Sequence, residues 1–180
     1  MAVFSGIEII WDRQFGFLKE TLVAPVSRLN IMIGRTLGGA TVAVFQGLVV
    51  FVVAMPFGFS PNLATFPLSL LFMILIALFF TALGTAIASL LKDMQGFQLI
   101  MNFIIMPTFF LSGAIFPAGD LPGPLKIILT LNPLAYGVDG LRGALVGNLH
   151  FGLGLDFLVL GLATALLLAI GGFLFSKIQI

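Results

Sequence analysis

His150 is the only histidine of a chain that has no cysteine, and it sits in a glycine-rich stretch, GNLHFGLG, whose next carboxylate is Asp156. A histidine can serve as general base in a Ser-His-Asp arrangement or as one ligand of a zinc ion. Both roles need partners held around it at fixed geometry. Asp120, Asp139 and Asp156 are the other candidates of this region, and a membrane-embedded enzyme would have to bring them together on His150; no spacing in the sequence forces that. HExxH, GxSxG and the phosphate loop GxxxxGK[ST] are missing as well. The absence of cysteine removes disulfides, thiolate metal sites and a cysteine nucleophile. His150 therefore reads as a solvated loop residue, and the chain is expected to hold no catalytic group, metal or cofactor of its own.

The elements that would position any site are set by hydrophobicity. From Thr36 to Leu91 the chain runs 56 residues without Asp, Glu, Lys or Arg. A helix needs about 20 apolar residues to cross the roughly 30 Å hydrocarbon layer, so this run holds two crossings. Pro56, Gly58, Ser60, Pro61 and Asn62 mark the turn between them. Charged residues make up only 8% of the chain, against about 25% in soluble domains, so most of the surface is expected to face lipid. The apolar spans fall at 36–55, 66–91, 97–116 and 157–175, and none alternates as a barrel strand would. Small residues recur in them, Gly38, Gly39, Ala40, Ala43 and Gly47 in the first and Ala82, Gly84, Ala86 and Ala88 in the second, as close helix packing in lipid favours. No ionisable side chain lies inside a span. Gln46, Gln95, Gln98 and Asn102 are the strongest polar groups in or near them, which argues against a carrier driven through buried carboxylates. Energy for transport would have to come from elsewhere.

Basic residues orient the chain. With four crossings, Arg13, Lys19, Arg28, Arg35, Lys92 and Lys177 share one side and Lys126 and Arg142 the other. The richer side is cytoplasmic, which puts both ends of the chain there and the loop 117–156 outside, with Arg28 and Arg35 as anchors. That loop carries two short apolar stretches, LKIILTL and LAYGVDGLRGALVG. Segments of this length are re-entrant or interfacial rather than spanning. Asn132 suits an N-cap with Pro133 at the first helical position, and Asp139 and Arg142 then fall three apart, close enough to pair at the surface. At the other end of the chain, a helix over 12–24 would place Phe15, Leu18 and Leu22 on one side and end at Pro25. It is either an interfacial anchor or a knob for a groove on a partner.

Two stretches, Ile9 to Gly39 and Phe109 to Gly147, together resemble the permeases of type-2 ATP-binding-cassette (ABC) exporters, in particular the daunorubicin-resistance, nodulation-factor and polysaccharide types. The first has Asp12, Arg13, Gly16 and the turn Pro25-Val26-Ser27-Arg28. The second has Ser112, Gly113, Phe116 and Pro117, then Asn132-Pro133-Leu134-Ala135-Tyr136. The resemblance implies an all-α integral membrane fold of about four spans, a cytoplasmic coupling helix and an outer re-entrant hairpin before the last span. It implies coupling to an ATPase through Asp12, Arg13, Phe15, Gly16, Leu18, Lys19 and Glu20, and an outer hairpin carrying Asn132, Pro133, Tyr136, Asp139 and Arg142. Permeases of that family have six spans. Residues 1–10 resemble the tail of a preceding span, so 1–180 is expected to be a partial permease domain: a fragment or misassigned start of a longer permease, or a degenerate half.

The function so implied is the membrane subunit of an exporter that moves an amphipathic drug, lipid or glycan, multidrug efflux included, across the plasma membrane. ATP and Mg would sit on separate cytoplasmic ABC ATPase subunits, a second permease copy or homologue would complete the pathway, lipid would surround it, and no nucleic acid would be bound. A non-transporting membrane scaffold is the rival. An ATPase gene adjacent to this one, or its absence, discriminates the two. The charge distribution makes a direct prediction: a single cysteine at Gly119 or Asn148 should react with an impermeant thiol reagent added to sealed cells, and one at Gln95 should not.

Overall fold

The computed structural model of the chain describes residues 2–23, 25–115 and 123–177; within α2, the side chains of Leu18, Lys19 and Leu22 also lie outside the description. A backbone in lipid must close its hydrogen bonds within its own segment, which a helix does. Among the described residues the regular structure is helical throughout, with no strand. A 3₁₀ turn at Ala2–Gly6 leads into α1 (Ile7–Gln14) and α2 (Phe17–Val23). There follow α3 (Arg28–Ala54), α4 (Phe66–Leu90), α5 (Met94–Phe110), α6 (Gly123–Leu131), α7 (Pro133–Val146) and α8 (Leu153–Ser176).

Three helical stretches are long and apolar enough to cross a membrane, Arg28–Phe57, Leu63–Leu90 and Leu153–Ser176, counting flanking turns. They carry the expected spans 36–55, 66–91 and 157–175. The fourth expected span, 97–116, is shorter than expected: α5 has 17 residues and reaches about 25 Å, the short end of what spans a bilayer, and the helix stops at Phe110, with residues 111–115 in turns; Phe116 lies outside the described residues. The first span begins earlier than hydropathy alone suggests. Ser27 supplies the reason, accepting the backbone N–H of Asn30 at 3.2 Å and so starting α3 eight residues before Thr36. Asp93 starts α5 the same way, taking the N–H of Gly96.

The helix expected over 12–24 is not one helix. α1 begins at Ile7 and runs through Asp12 and Arg13, the chain breaks at Phe15 and Gly16, and α2 takes over at Phe17. Gly16 has φ +83°, a left-handed conformation that ends helices and that side chains with a Cβ disfavour. Phe15 closes α1 by donating its N–H to the carbonyl of Trp11 at 2.8 Å. Ala24, the expected end, lies outside the described residues.

The described chain divides into two compact units. One comprises residues 1–43, 77–102 and 164–180, the other 44–76 and 103–163. In the first, the recurring small residues Ala82, Ala86 and Ala88 of α4 are buried, in a core that also holds Ile9, Ile10, Met32, Phe97 and Phe175. Buried hydroxyls of α4 bond back along the helix, Thr81 to Ala77, Thr85 to Thr81 and Ser89 to Thr85 at 2.7–3.0 Å, so buried polar atoms are satisfied without a charge. The amino-terminal turn crosses α4 backbone to backbone at Gly84. In the second unit, α7 buries Leu134, Ala135 and Tyr136, and the ring of Phe72 fills the space that a side chain at Gly140 would take. The segment before α4 is tied to the end of α7, where Asn62 donates its N–H to Leu145 at 2.9 Å and the Thr65 hydroxyl bonds the carbonyl of Ala144.

A Cβ at Gly84 would lie 2.3 Å from the carbonyl oxygen of Val3, whereas one at Gly38 would meet nothing within 4 Å. Gly84→Ala is therefore expected to destabilise by about 1–3 kcal/mol, and Gly38→Ala to be neutral or slightly stabilising. Denaturant unfolding of the purified protein in detergent checks the contrast.

Candidate functional site

The amino-terminal segment is built by charge pairing at helix ends. Apolar Ile9 and Ile10 bury one face of α1 completely, which fixes the direction of the next turn and delivers Asp12 and Arg13 to their partners. Asp12 forms an ion pair with Arg35 of α3. Arg13 donates to the carbonyls of Leu91 at 2.7 Å and Ser89 at 3.3 Å. Carbonyls at the end of a helix have no partner within it and carry the negative end of the helix dipole, so a guanidinium there acts as a cap. One turn of α1 is thus fastened to the early part of α3 and to the end of α4. Arg35, expected only to anchor the chain at the membrane surface, is instead a structural partner.

Beyond the Gly16 turn the character reverses. Phe15 is 72% and Phe17 57% exposed, and Val23 and Glu20 are also exposed. Phe15 was expected on an apolar face with Leu18 and Leu22; the side chains of Leu18 and Lys19 are not described. Sequence reasoning missed Phe17, although two phenylalanines flanking a glycine, Phe15-Gly16-Phe17, signal a turn that presents aromatic rings.

The hairpin before the last long helix is built by capping. Asn132 takes the N–H of Leu134 at 3.0 Å, with Pro133 at the first helical position. Its amide nitrogen donates to the carbonyls of Thr108 at 2.7 Å and Leu111 at 3.1 Å, the ragged end of α5. Tyr136 donates its hydroxyl to Thr130 at 2.8 Å and stacks on Phe151 at 4.7 Å between ring centres. The expected pairing of Asp139 with Arg142 does not occur. Asp139 is only 7% exposed and accepts the backbone N–H groups of His150 and Phe151 at 2.8–3.0 Å, while Arg142 donates to Gly113 at 2.9 Å and, more weakly, to Ala114 at 3.5 Å. Each charge is taken by backbone groups of a loop rather than by a side chain on the same helix. Ser112, Asp139, Arg142, His150 and Phe151 line a pocket of about 240 Å³. His150 itself is exposed, as expected of a loop residue. Among the described residues no group of three or more His, Cys, Asp or Glu could hold a metal ion.

Long apolar helices, an amino-terminal segment pinned to helix ends and a capped hairpin of short helices ahead of the last long one define a multi-pass helical membrane protein. The chain belongs to the ABC-2 type transporter family, whose family model matches residues 1–146. A protein of Pyropia yezoensis named transport permease ycf38 is 31% identical over 146 residues, 78% of this chain and 49% of that protein. Nodulation protein J of Rhizobium meliloti (strain 1021) is 30% identical over 69% of this chain and 48% of its own length. A protein of Escherichia coli (strain K12) named multidrug ABC transporter permease YbhR is 26% identical over 76% of this chain and 37% of its own length. The chain thus spans about half the length, or less, of these curated relatives. No solved structure matches.

Since Asp139 is buried on backbone donors, Asp139→Ala is expected to cost about 1–3 kcal/mol by leaving N–H groups unpaired. Exchanging the charges, Asp139→Arg with Arg142→Asp, should fail to restore stability. Unfolding midpoints of the two variants and the wild type in detergent measure this.

Proposed function

We propose that this chain acts as a membrane-spanning permease subunit of an ATP-driven ABC exporter, with both ends in the cytoplasm and the α6–α7 hairpin dipping into the membrane from the outer side. It performs no chemistry itself. ATP and Mg are bound by separate cytoplasmic ATPase subunits, and a second permease copy or homologue completes the pathway in the plasma membrane. The names of the relatives, a multidrug permease and a nodulation protein among them, favour an amphipathic substrate such as a drug, lipid or glycan.

One observation carries this reading: a segment that is rigidly fastened at one end and offers bare aromatic rings at the other. Exposed Phe15 and Phe17 supply what a partner groove would bury, since aromatic anchors dominate docking energies. Displacement of that end reaches α3 through Asp12 and Arg35, and the end of α4 through Arg13. An ATPase whose affinity differs between two permease states then shifts the balance between them. An anchor in lipid would instead make the two rings dispensable, because the long helices already hold the chain in the membrane.

Phe15→Ala with Phe17→Ala is expected to weaken docking by about 2–4 kcal/mol and to abolish ATPase co-purification at equal permease levels. The test is affinity purification of the tagged protein from cells that also express its cognate ABC ATPase. Undiminished co-purification and substrate-stimulated hydrolysis in the double variant would remove the coupling role.

A further inference from the structure

Asp156 is the fourth residue of α8 and comes just before an uncharged run that begins at Phe157. It is 0% exposed, and among the described residues neither carboxylate oxygen has a hydrogen-bond partner. Asp139, on α7, holds the backbone of His150 and Phe151 in the loop that leads into α8, within the same compact unit. A carboxylate stripped of water without a donor is strongly disfavoured as the anion. The positive end of α8 favours an anion only modestly, which does not offset the loss.

The two acids are not equivalent. Asp139 accepts N–H groups from His150 and Phe151, donors that suit the ionised form. Asp156 has none. Other charged or titratable groups do not compensate it: Arg142 is directed to the Gly113 carbonyl, His150 is exposed, Lys126 is on α6, and α4 and α5 carry no charge. Asp120 lies outside the described residues. We propose that Asp156 is a proton-binding site, a carboxylic acid kept neutral at the end of the loop between α7 and α8 that the Asp139 anion anchors. Loss of the proton places an uncompensated anion at the start of α8 and loosens that loop.

Infrared spectroscopy of the purified protein in lipid nanodiscs reads the proton directly. A protonated-carboxyl carbonyl band is expected at neutral pH, lost in Asp156→Asn and retained in Asp139→Asn. Hydrogen-exchange protection of the His150 and Phe151 amides, corrected for the intrinsic rate, should fall as pH rises in the wild type and stay constant in Asp156→Asn. Identical neutral-pH spectra for wild type and Asp156→Asn would overturn the site. Protection independent of pH in the wild type would overturn its coupling to the loop. Because asparagine mimics the neutral acid in shape and charge, failure of Asp156→Asn to fold would count against the proposal as well.

Discussion

Lipid offers a polar group nothing to bond to, and the placement of charged and hydroxyl-bearing residues in this chain follows from that. Along the buried face of α4, Thr81, Thr85 and Ser89 turn their hydroxyls back onto their own helix. Charges meet backbone groups at helix ends and in loops. Arg13 caps α4, Asp93 starts α5, and Asp139 and Arg142 take up backbone groups of loops. Asp156 stands out against this pattern as a buried carboxylate without a donor among the described residues.

Capping also explains how a chain with so few charges holds short and long helices in one fold. A hydrophobic effect between helices is weak in lipid, so association depends on close backbone approach and on hydrogen bonds. Both occur here: Gly6 and Gly84 let the amino-terminal turn meet α4 backbone to backbone, and Asn132 joins the starts and ends of three helices, α5, α6 and α7, through one side chain and its own N–H. The same economy makes α1 a fastener, since Asp12 and Arg13 are adjacent in sequence yet reach α3 and the end of α4 separately.

Much of this was legible in the sequence because it depends on local composition. Runs of apolar residues as long as a bilayer is thick determine helices, turn residues determine their breaks, and Asn132-Pro133 determines a helix start; each is a matter of a residue and its immediate neighbours. The hairpin of two short helices followed from their length alone. Even the recurrence of small residues in α4 was visible, and the paired motifs carried the family.

The partners of charges were not legible. Asp139 and Arg142 at three-residue spacing are close enough to pair, and sequence alone has no means to weigh that contact against the N–H groups of a loop eleven residues on. Arg35 looked like a surface anchor because Asp12 is distant in sequence, and only the crossing of α1 and α3 brings the two together. The break at Gly16 required knowing that the backbone there turns left-handed, whereas a helical pattern tolerates a glycine either way. The sequence by itself determined which segments are helices and that they suit a membrane, since burial in lipid depends on composition. Tertiary structure alone decided which polar group meets which, because that choice rests on the distances between segments far apart in the chain.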